Sequence, residues 1–375
     1  MRIAFLVPSL GRSEGQGGAN LELLERIAAA GHRVDVWAGN APRSVASLPG
    51  VRLRALPRLP AWQLGNQLLG LTASSLQLRR RRYDLIHADA GVTFRHADVV
   101  TCHTLNDAWL RLPEQLWREP GLRGMHAAAA TRLKARLEIG QYRAARAVVA
   151  NSRKTADDLA ARGVDPAAIT VVQLGVDAER FRPPTADERA AARARFGLGA
   201  EEFVVAFVGA HGPRKGLPEA LGALASARAG ERMLVAGEHR GGRWIGTANT
   251  VMPGKLDDIR PVYWAADVLV YPSRYDAFGM AVLEAMACGS PVIVSREAGA
   301  HEIIGDAGFV LPEVSARAIR EALDRIRDDG GGRARMGETA RAIARTRTWD
   351  EAGRNLMRLY EDFAGTPLSR ATSPA

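Results

Sequence analysis

Two α/β domains in tandem, each a parallel sheet covered by helices, are the fold this sequence predicts. Three observations point to it. Short apolar runs alternate with longer amphipathic stretches from the first residues onward. The alternation breaks between Leu174 and Pro184, at Gly175 and then at Phe181-Arg182-Pro183-Pro184, where a rigid non-helical connection is expected, and then resumes. Finally, 375 residues with 47% apolar and 25% charged side chains supply enough material for two cores.

In the first series, Arg2–Pro8 reads as a buried strand and Gly11–Gly18 as a glycine-rich loop. Ala19–Ala30 reads as a helix with Leu21, Leu24, Ile27 and Ala28 on one face, stopped by Gly31. Arg33–Ala38, Asp84–Ala88, Asp98–Cys102 and Ala147–Asn151 are further strands, and Ser152 is placed to cap the helix after the last of them. The second series runs strand Phe203–Gly209, helix Leu217–Ala229, strand Arg232–Ala236 and a strand near Thr250. Strand Val268–Tyr271, helix Gly279–Cys288 and strand Val292–Ser295 follow. Asp350–Phe363 is a last amphipathic helix, and the tail 365–375 is expected to be mobile. The expected domains are residues 1–183 and 184–348. Open parallel sheets bind ligands beyond the carboxyl ends of their strands, so the cleft between two such domains is the expected site.

Composition removes several classes. Cys102 and Cys288 cannot build a disulfide framework, and no Cys/His cluster has zinc spacing. The start carries one charge and a short apolar run ended by Pro8, unlike a secretory signal. No run approaches the ~18 apolar residues that a spanning helix needs. A cytoplasmic location is expected. The net charge of +10 is uneven: residues 1–183 hold 26 Lys and Arg against 16 Asp and Glu, whereas residues 184–375 hold 25 of each. The first half therefore seeks an anionic partner. Nucleic acid is the less favoured one, because no zinc finger, RNA-recognition aromatic signature or helix-turn-helix is present. An anionic membrane face fits better: Arg79–Arg82 adjoin the apolar Leu64–Leu78, and residues 111–154 carry ten Lys and Arg among Leu116, Trp117, Leu122, Met125 and Leu133. The plainer alternative is a scattered basic surface.

Four loops have the residue types for chemistry. The richest runs from Val268 through Asp276-Ala277-Phe278-Gly279-Met280-Ala281 and Glu284 to Pro291, an uninterrupted strand, turn and helix. The N–H groups of Gly279, Met280 and Ala281 at the helix start form a candidate anion site. Asp276 precedes it, and Glu284 lies on an otherwise apolar helix, where a carboxylate is costly without a partner. Sugar hydroxyls would suit both; alternatively Asp276 is a helix cap and Glu284 pairs with an arginine. A second strand end, Gly209-Ala210-His211-Gly212-Pro213-Arg214-Lys215-Gly216, offers two adjacent cations for a diphosphate, or a solvated basic loop. Neither this loop nor Gly11–Gly18 has P-loop or dinucleotide-binding spacing. His103 follows the strand ending at Cys102 and is a catalytic candidate by that position. No Asp-x-Asp occurs and no carboxylate cluster suits Mg²⁺ or Mn²⁺, so a metal-free reaction without a cofactor is expected.

Taken together, these segments resemble glycosyltransferase family 4, the retaining enzymes of GT-B fold, nearly end to end. Gly17-Gly18-Ala19-Asn20 with Gly31-His32-Arg33-Val34 is similar to the family's glycine loop and first helix. Ala150-Asn151-Ser152 and Leu174-Gly175-Val176-Asp177 resemble its approach to the domain linker, and Arg214-Lys215-Gly216 its basic pair. The most specific likeness is Asp276-Ala277-Phe278-Gly279 through Glu284 to Gly289-Ser290-Pro291, the acidic-x7-acidic motif with Asp276 in place of the commoner Glu. A second departure is Gly209-Ala210, where many members have Gly-Arg; Arg214 is the candidate replacement.

The resemblance implies two Rossmann-like domains across a deep cleft, with the helix at about 349–363 returning to the first domain. It implies a nucleotide-sugar donor, UDP-hexose favoured over GDP-mannose, and a glycan, lipid-linked or small-molecule acceptor. Glu284 would accept from ribose hydroxyls and Asp276 from the transferred sugar. Arg214, Lys215 and the N–H groups after Phe278 would neutralise the diphosphate, His103 would position donor or acceptor, and Gly17 and Gly18 would close the site from the opposite domain. Retention by front-face attack is implied, the leaving phosphate taking the acceptor's proton. The competing readings are a nucleotide-sugar epimerase of the same fold and a non-catalytic nucleotide-sugar-binding protein.

Overall fold

A computed structural model describes residues 1–11, 15–55, 78, 83–92, 97–113, 121–209, 212–238 and 248–364. Among them, two all-parallel sheets account for the strands. The first contains β1 (Arg2–Val7), β2 (Arg33–Ala38), β3 (Val51–Ala55), β4 (Leu85–Asp89), β5 (Val99–Cys102), β6 (Ala147–Ala150) and β7 (Ile169–Val171), ordered β3-β2-β1-β4-β5-β6-β7. The second contains β8 (Phe203–Val208), β9 (Glu231–Ala236), β10 (Thr250–Gly254), β11 (Val268–Tyr271), β12 (Val292–Ser295) and β13 (Gly308–Leu311), ordered β10-β9-β8-β11-β12-β13. Each order reverses direction once, between β1 and β4 and between β8 and β11. Ligands bind at such switch points, because the flanking loops part there.

The strands read as near-continuous apolar runs because both faces are covered. In β1, Ile3, Phe5 and Val7 join one core cluster while Ala4 and Leu6 join another. Register follows from that packing: Ile3 lies opposite Val34 on one side and Leu85 on the other.

The first sheet is accompanied by α1 (Gly15–Ala29), α2 (Asn106–Leu110), α3 (Gly121–Ala144) and α4 (Arg153–Ala160). With the second come α5 (Ala186–Arg195), α6 (Leu217–Ala225), α7 (Arg260–Ala265), α8 (Met280–Ala287), α9 (Ala316–Asp328) and α10 (Gly330–Thr346). Ser152 caps α4 by accepting from the Thr155 N–H, as its position predicts. Residues 172–185 join the two series.

The last helix, α11 (Trp349–Ala364), returns to the first domain. It packs on α1, with Arg26 Nε 3.0 Å from Asp350, and the Arg146 guanidinium lies 4.4 Å from the Phe363 ring centre. The Tyr360 hydroxyl contacts His87 Nδ1 in the interior; burial drives the His87 pKa down to about 3, so the ring is a neutral structural link.

Two element boundaries differ from the sequence reading by more than one residue. Helix α1 begins at Gly15, so Gly17 and Gly18 are helical rather than loop residues. Glycine disfavours a helix, yet the burial of Leu21, Leu24 and Ile27 further along outweighs that cost. Helix α6 stops at Ala225 instead of Ala229, because Ser226 leaves the helical region and the chain must turn into β9. Residues 64–77 of the apolar stretch, Arg79–Arg82, Leu116, Trp117, Ala210 and the tail from Gly365 lie outside the described residues, as do residues 12–14 of the glycine-rich loop. No helix among the described residues is long and apolar enough to cross a membrane.

Candidate functional site

The switch points of the two sheets open onto one cleft of about 740 Å³. From the second domain it is lined by Gly209 after β8, by Lys215, and by Tyr271, Asp276, Phe278, Gly279, Met280, Ala281 and Glu284. The first domain contributes Gln16, Gly18, Ala19, His103 and Asn151.

The turn after β11 positions the acidic groups. The Asp276 N–H donates to Glu297 at 2.9 Å and its carbonyl accepts from Gly299 at 3.0 Å, so the backbone is held from both sides. Gly279 then caps α8 at φ +104°, where a Cβ would stand 3.0 Å from the Tyr271 ring; only glycine fits this turn. No side chain caps α8, and its first N–H groups face the cleft with the positive end of the helix dipole. Asp276 is therefore not the helix cap.

Instead, Asp276 Oδ2 accepts from the Tyr271 hydroxyl at 2.7 Å and pairs with Lys215 Nζ, which also reaches the Tyr271 oxygen at 2.6 Å. Burial by itself would raise the Asp276 pKa, but Lys215, Arg214 and the Tyr271 hydroxyl together bring it down to about 2. The Lys215 pKa moves down as well: burial and the neighbouring Arg214 outweigh the attraction of Asp276. An ion pair thus stands ready in the cleft wall, with its cation held beside the helix start.

Glu284 sits one helical face further on. Its Oε2 accepts from the Tyr263 hydroxyl at 2.6 Å, not from an arginine, and its other oxygen has no hydrogen-bond partner among the described residues. Burial raises its pKa, with Tyr263 and the charge of Arg180 opposing. A half-satisfied carboxylate in a cleft is an acceptor for ligand hydroxyls.

Across the cleft, His103 is fixed by a short relay. Asp89 at the end of β4 accepts from Gln16 Nε2 at 2.9 Å and from Asn20 Nδ2 at 2.8 Å. That orients Asn20 so that its Oδ1 accepts from His103 Nε2 at 2.8 Å. The network assigns the proton to Nε2 and leaves Nδ1 as an acceptor. Burial lowers the His103 pKa, Asp89 opposing only in part, so the ring is neutral near pH 7.

Two residues singled out in the sequence stand elsewhere. Arg214 does not line the cleft: its guanidinium lies 4.4 Å from the Trp109 ring centre and donates to the Tyr275 carbonyl at 2.7 Å. It joins the two domains and acts on Asp276 only through its charge. Gly17 is buried in the start of α1, where its carbonyl accepts from Gly11, while Gly18 reaches the cleft. Sequence reasoning missed Tyr263, Tyr271, Asp89 and Asn20. Tyr271 and Asp89 end strands at the switch points, which was the available signal; nothing local announced Tyr263.

The domains clasp beside the site. Tyr275 accepts from the Leu105 N–H at 2.9 Å, Ser152 donates to the Ala277 carbonyl at 2.6 Å, and Glu302 accepts from the Arg153 N–H at 2.9 Å at the start of α4. No group of three or more His, Cys, Asp or Glu residues among the described residues is arranged to hold a metal ion.

Comparison with known proteins agrees with this geometry. The profile of glycosyltransferase family 4 matches residues 14–180, and that of glycosyl transferases group 1 matches residues 188–343. A D-inositol 3-phosphate glycosyltransferase of Streptomyces bingchenggensis is 30% identical over 402 residues, spanning 95% of this chain and 86% of that one. Among solved structures, sucrose-phosphate synthase of Thermosynechococcus elongatus superposes with a TM-score of 0.77 at 23% identity, covering 98% of this chain and all of its own. HepE of Anabaena, solved with UDP and glucose, gives 0.72 at 21% identity over 96% of this chain and 100% of that chain. Two Rossmann-like domains facing across a cleft are the GT-B fold, and the chain belongs to glycosyltransferase family 4, the glycosyl transferases group 1.

Proposed function

We propose that this glycosyltransferase moves a hexosyl unit from a UDP-sugar to a hydroxyl acceptor with retention of configuration and without a metal ion. The observation that carries the reading is the cluster of Lys215, Tyr271 and Asp276 beside the uncapped start of α8, facing His103 across one cleft. The helix start and Lys215 supply positive charge where the diphosphate leaves, which is where charge develops as the glycosidic bond breaks. Asp276 accepts from hydroxyls of the transferred sugar, and Glu284 from the ribose. His103, neutral and held through Nε2, offers Nδ1 to a sugar or acceptor hydroxyl. In the transfer step the acceptor oxygen bonds to the anomeric carbon from the face the diphosphate leaves, and a leaving phosphate oxygen takes the acceptor's proton.

UDP is favoured because HepE, of the same fold, was solved with it; the curated relative named above points to a phosphorylated polyol as one acceptor to try, beside glycan and lipid-linked acceptors. The acceptor is proposed to be met at an anionic membrane face, where the first domain docks peripherally; α3 carries Met125, 53% exposed, with Arg132 and Arg136 exposed further along it.

The test is transfer of labelled hexose from UDP-glucose, UDP-N-acetylglucosamine and GDP-mannose to a panel of these acceptors, with EDTA present. Turnover with a UDP-sugar, giving the donor's anomeric configuration, is the expected result. Turnover only on adding Mg²⁺ or Mn²⁺, or an inverted product, contradicts it.

A further inference from the structure

A second cavity of about 670 Å³ lies on the far side of Tyr263 from the cleft and shares no lining residue with it. Its walls are the linker prolines Pro183 and Pro184, the end of α8 at Gly289, and one face of α10. That face follows from spacing: Arg333, Gly337, Arg341 and Arg345 recur every four residues and form one stripe. Gly337 presses the stripe against α8, since a Cβ there would stand 2.4 Å from the Gly289 carbonyl oxygen.

The charge in this cavity is unbalanced. None of Arg333, Arg341 and Arg345 pairs with a carboxylate among the described residues, whereas Arg335 on another face of the same helix lies 3.8 Å from Asp329. Two carboxylates line the cavity. Asp267 is spent: its oxygens take Arg189 at 2.7 Å, Arg193 at 2.8 Å and the Val204 N–H at 2.8 Å. Glu338 stands exposed. The surplus is felt nearby, for the Arg189 pKa is lowered by burial and, against the pull of Asp267, by Arg193 and Arg333. Arg341 Nη1 is committed to three carbonyls, those of Ala178 and Phe181 in the linker at 2.9 Å and of Ala287 at 2.8 Å. Its charge is thus fixed at the cavity wall without an anion to meet it.

We propose that this cavity is a second anion site, separate from the donor cleft, which takes a small soluble ligand bearing a diphosphate or comparable clustered phosphate charge. Guanidinium groups suit phosphate oxygens in bidentate fashion, and Pro183, Pro184, Tyr263 and Pro291 offer apolar wall to the rest of such a ligand. Its occupant touches the linker between the domains and the tyrosine that holds Glu284.

Inorganic pyrophosphate is the probe, titrated calorimetrically into the full chain at low salt. The Lys215→Ala variant weakens the cleft's own claim on the probe and serves as the background. In that background pyrophosphate binding should persist, and Arg333→Gln with Arg345→Gln should weaken it at least tenfold. Arg345→Glu alone, an exposed position that leaves the packing of Arg341 intact, should do the same. Arg335→Gln removes one charge from another face and should leave the affinity unchanged. UDP-sugar binding by the Arg345→Glu chain with native Lys215 should match the wild type, which also shows that it is folded. Pyrophosphate binding that is lost with Lys215 alone, that ignores Arg333 and Arg345, or that falls equally with Arg335→Gln overturns the proposal.

Discussion

In the second domain the charged cluster at the start of α8 comes from Lys215 and one short stretch, residues 271–284, whereas in the first the groups around His103 come from α1, the end of β4 and the end of β5. The charge follows the opposite pattern. Residues 1–183 hold the whole net excess of +10, yet opposite that cluster they place a neutral histidine, and their charged residues along the cleft, Glu22, Asp177 and Arg180, sum to −1. The electrically neutral second domain supplies Lys215, Asp276 and Glu284. Net charge therefore describes what a domain's surface attracts, and the local strand–turn–helix describes what its site does.

The largest test of that contrast is the charge itself. Lys215→Ala should lower kcat by about 10²–10³-fold, the range for removing a preorganised donor to developing charge. Arg214→Ala should cost far less, because its guanidinium lies against Trp109 rather than in the cleft. Equal losses in a transfer assay would break the assignment of the diphosphate charge to Lys215.

Buried carboxylates sharpen the comparison next. In the first domain Glu138 accepts from the Asn106 and Asp107 N–H groups and from Asn106 Nδ2, yet burial pushes its pKa up to about 7 from an ordinary 4.5. An acid raised on folding binds more protons in the folded state, so its contribution is full below pH ~4.5 and lost as pH climbs through ~7. Its size is on the order of 3 kcal/mol. Glu138→Gln should flatten this segment of a denaturation-against-pH curve and stabilise the protein at pH 8; an unchanged curve would mean that Glu138 ionises freely.

Glu284 in the second domain has the same direction of shift but an open cleft before it. Glu284→Ala should weaken UDP-sugar binding by about 10- to 150-fold, the ~1.5–3 kcal/mol of a charged hydrogen bond, while Asp276→Asn should reduce transfer more than binding. Titration calorimetry beside kinetics separates the two.

Asn20→Ala probes the dispersed half of the site. Losing the acceptor for His103 Nε2, together with one of the donors to Asp89, should lower kcat about 2- to 10-fold with donor affinity kept, because the change acts through the orientation of His103. In the wild type, the rate should show no inflection at the usual histidine pKa. An inflection there that vanishes in His103→Asn would show that the ring titrates. The smallest expected effect is in the basic half: weak sedimentation of the chain with anionic vesicles, fading with salt. Equal binding to neutral vesicles would sink the docking proposal.

How much was legible follows from the same contrast. Asp276, Gly279 and Glu284 lie within nine residues of one another, so a strand run, a glycine and a helix period are enough to bring them together. Lys215 was legible for the same reason, as a cation just beyond a strand end. Arg214 shows the limit, since adjacency in sequence cannot say which of two cations meets the cleft and which meets Trp109 on the other domain. Asn20, Asp89 and His103 are separated by up to 83 residues and meet only because β1, β4 and β5 are neighbours.

By itself, then, the sequence determined the two parallel α/β layers, their alternation, and the chemistry of the β11–α8 turn, because each rests on periodicity and turn residues that act over a few positions. Only the tertiary structure decided that Tyr271 and Tyr263 hold the two acids, that His103 is a neutral acceptor, and that α1 starts inside the glycine run. Hydrogen-bond direction and burial depend on which strands lie side by side, and strand order is set by the packing of both faces of a sheet rather than by any one segment.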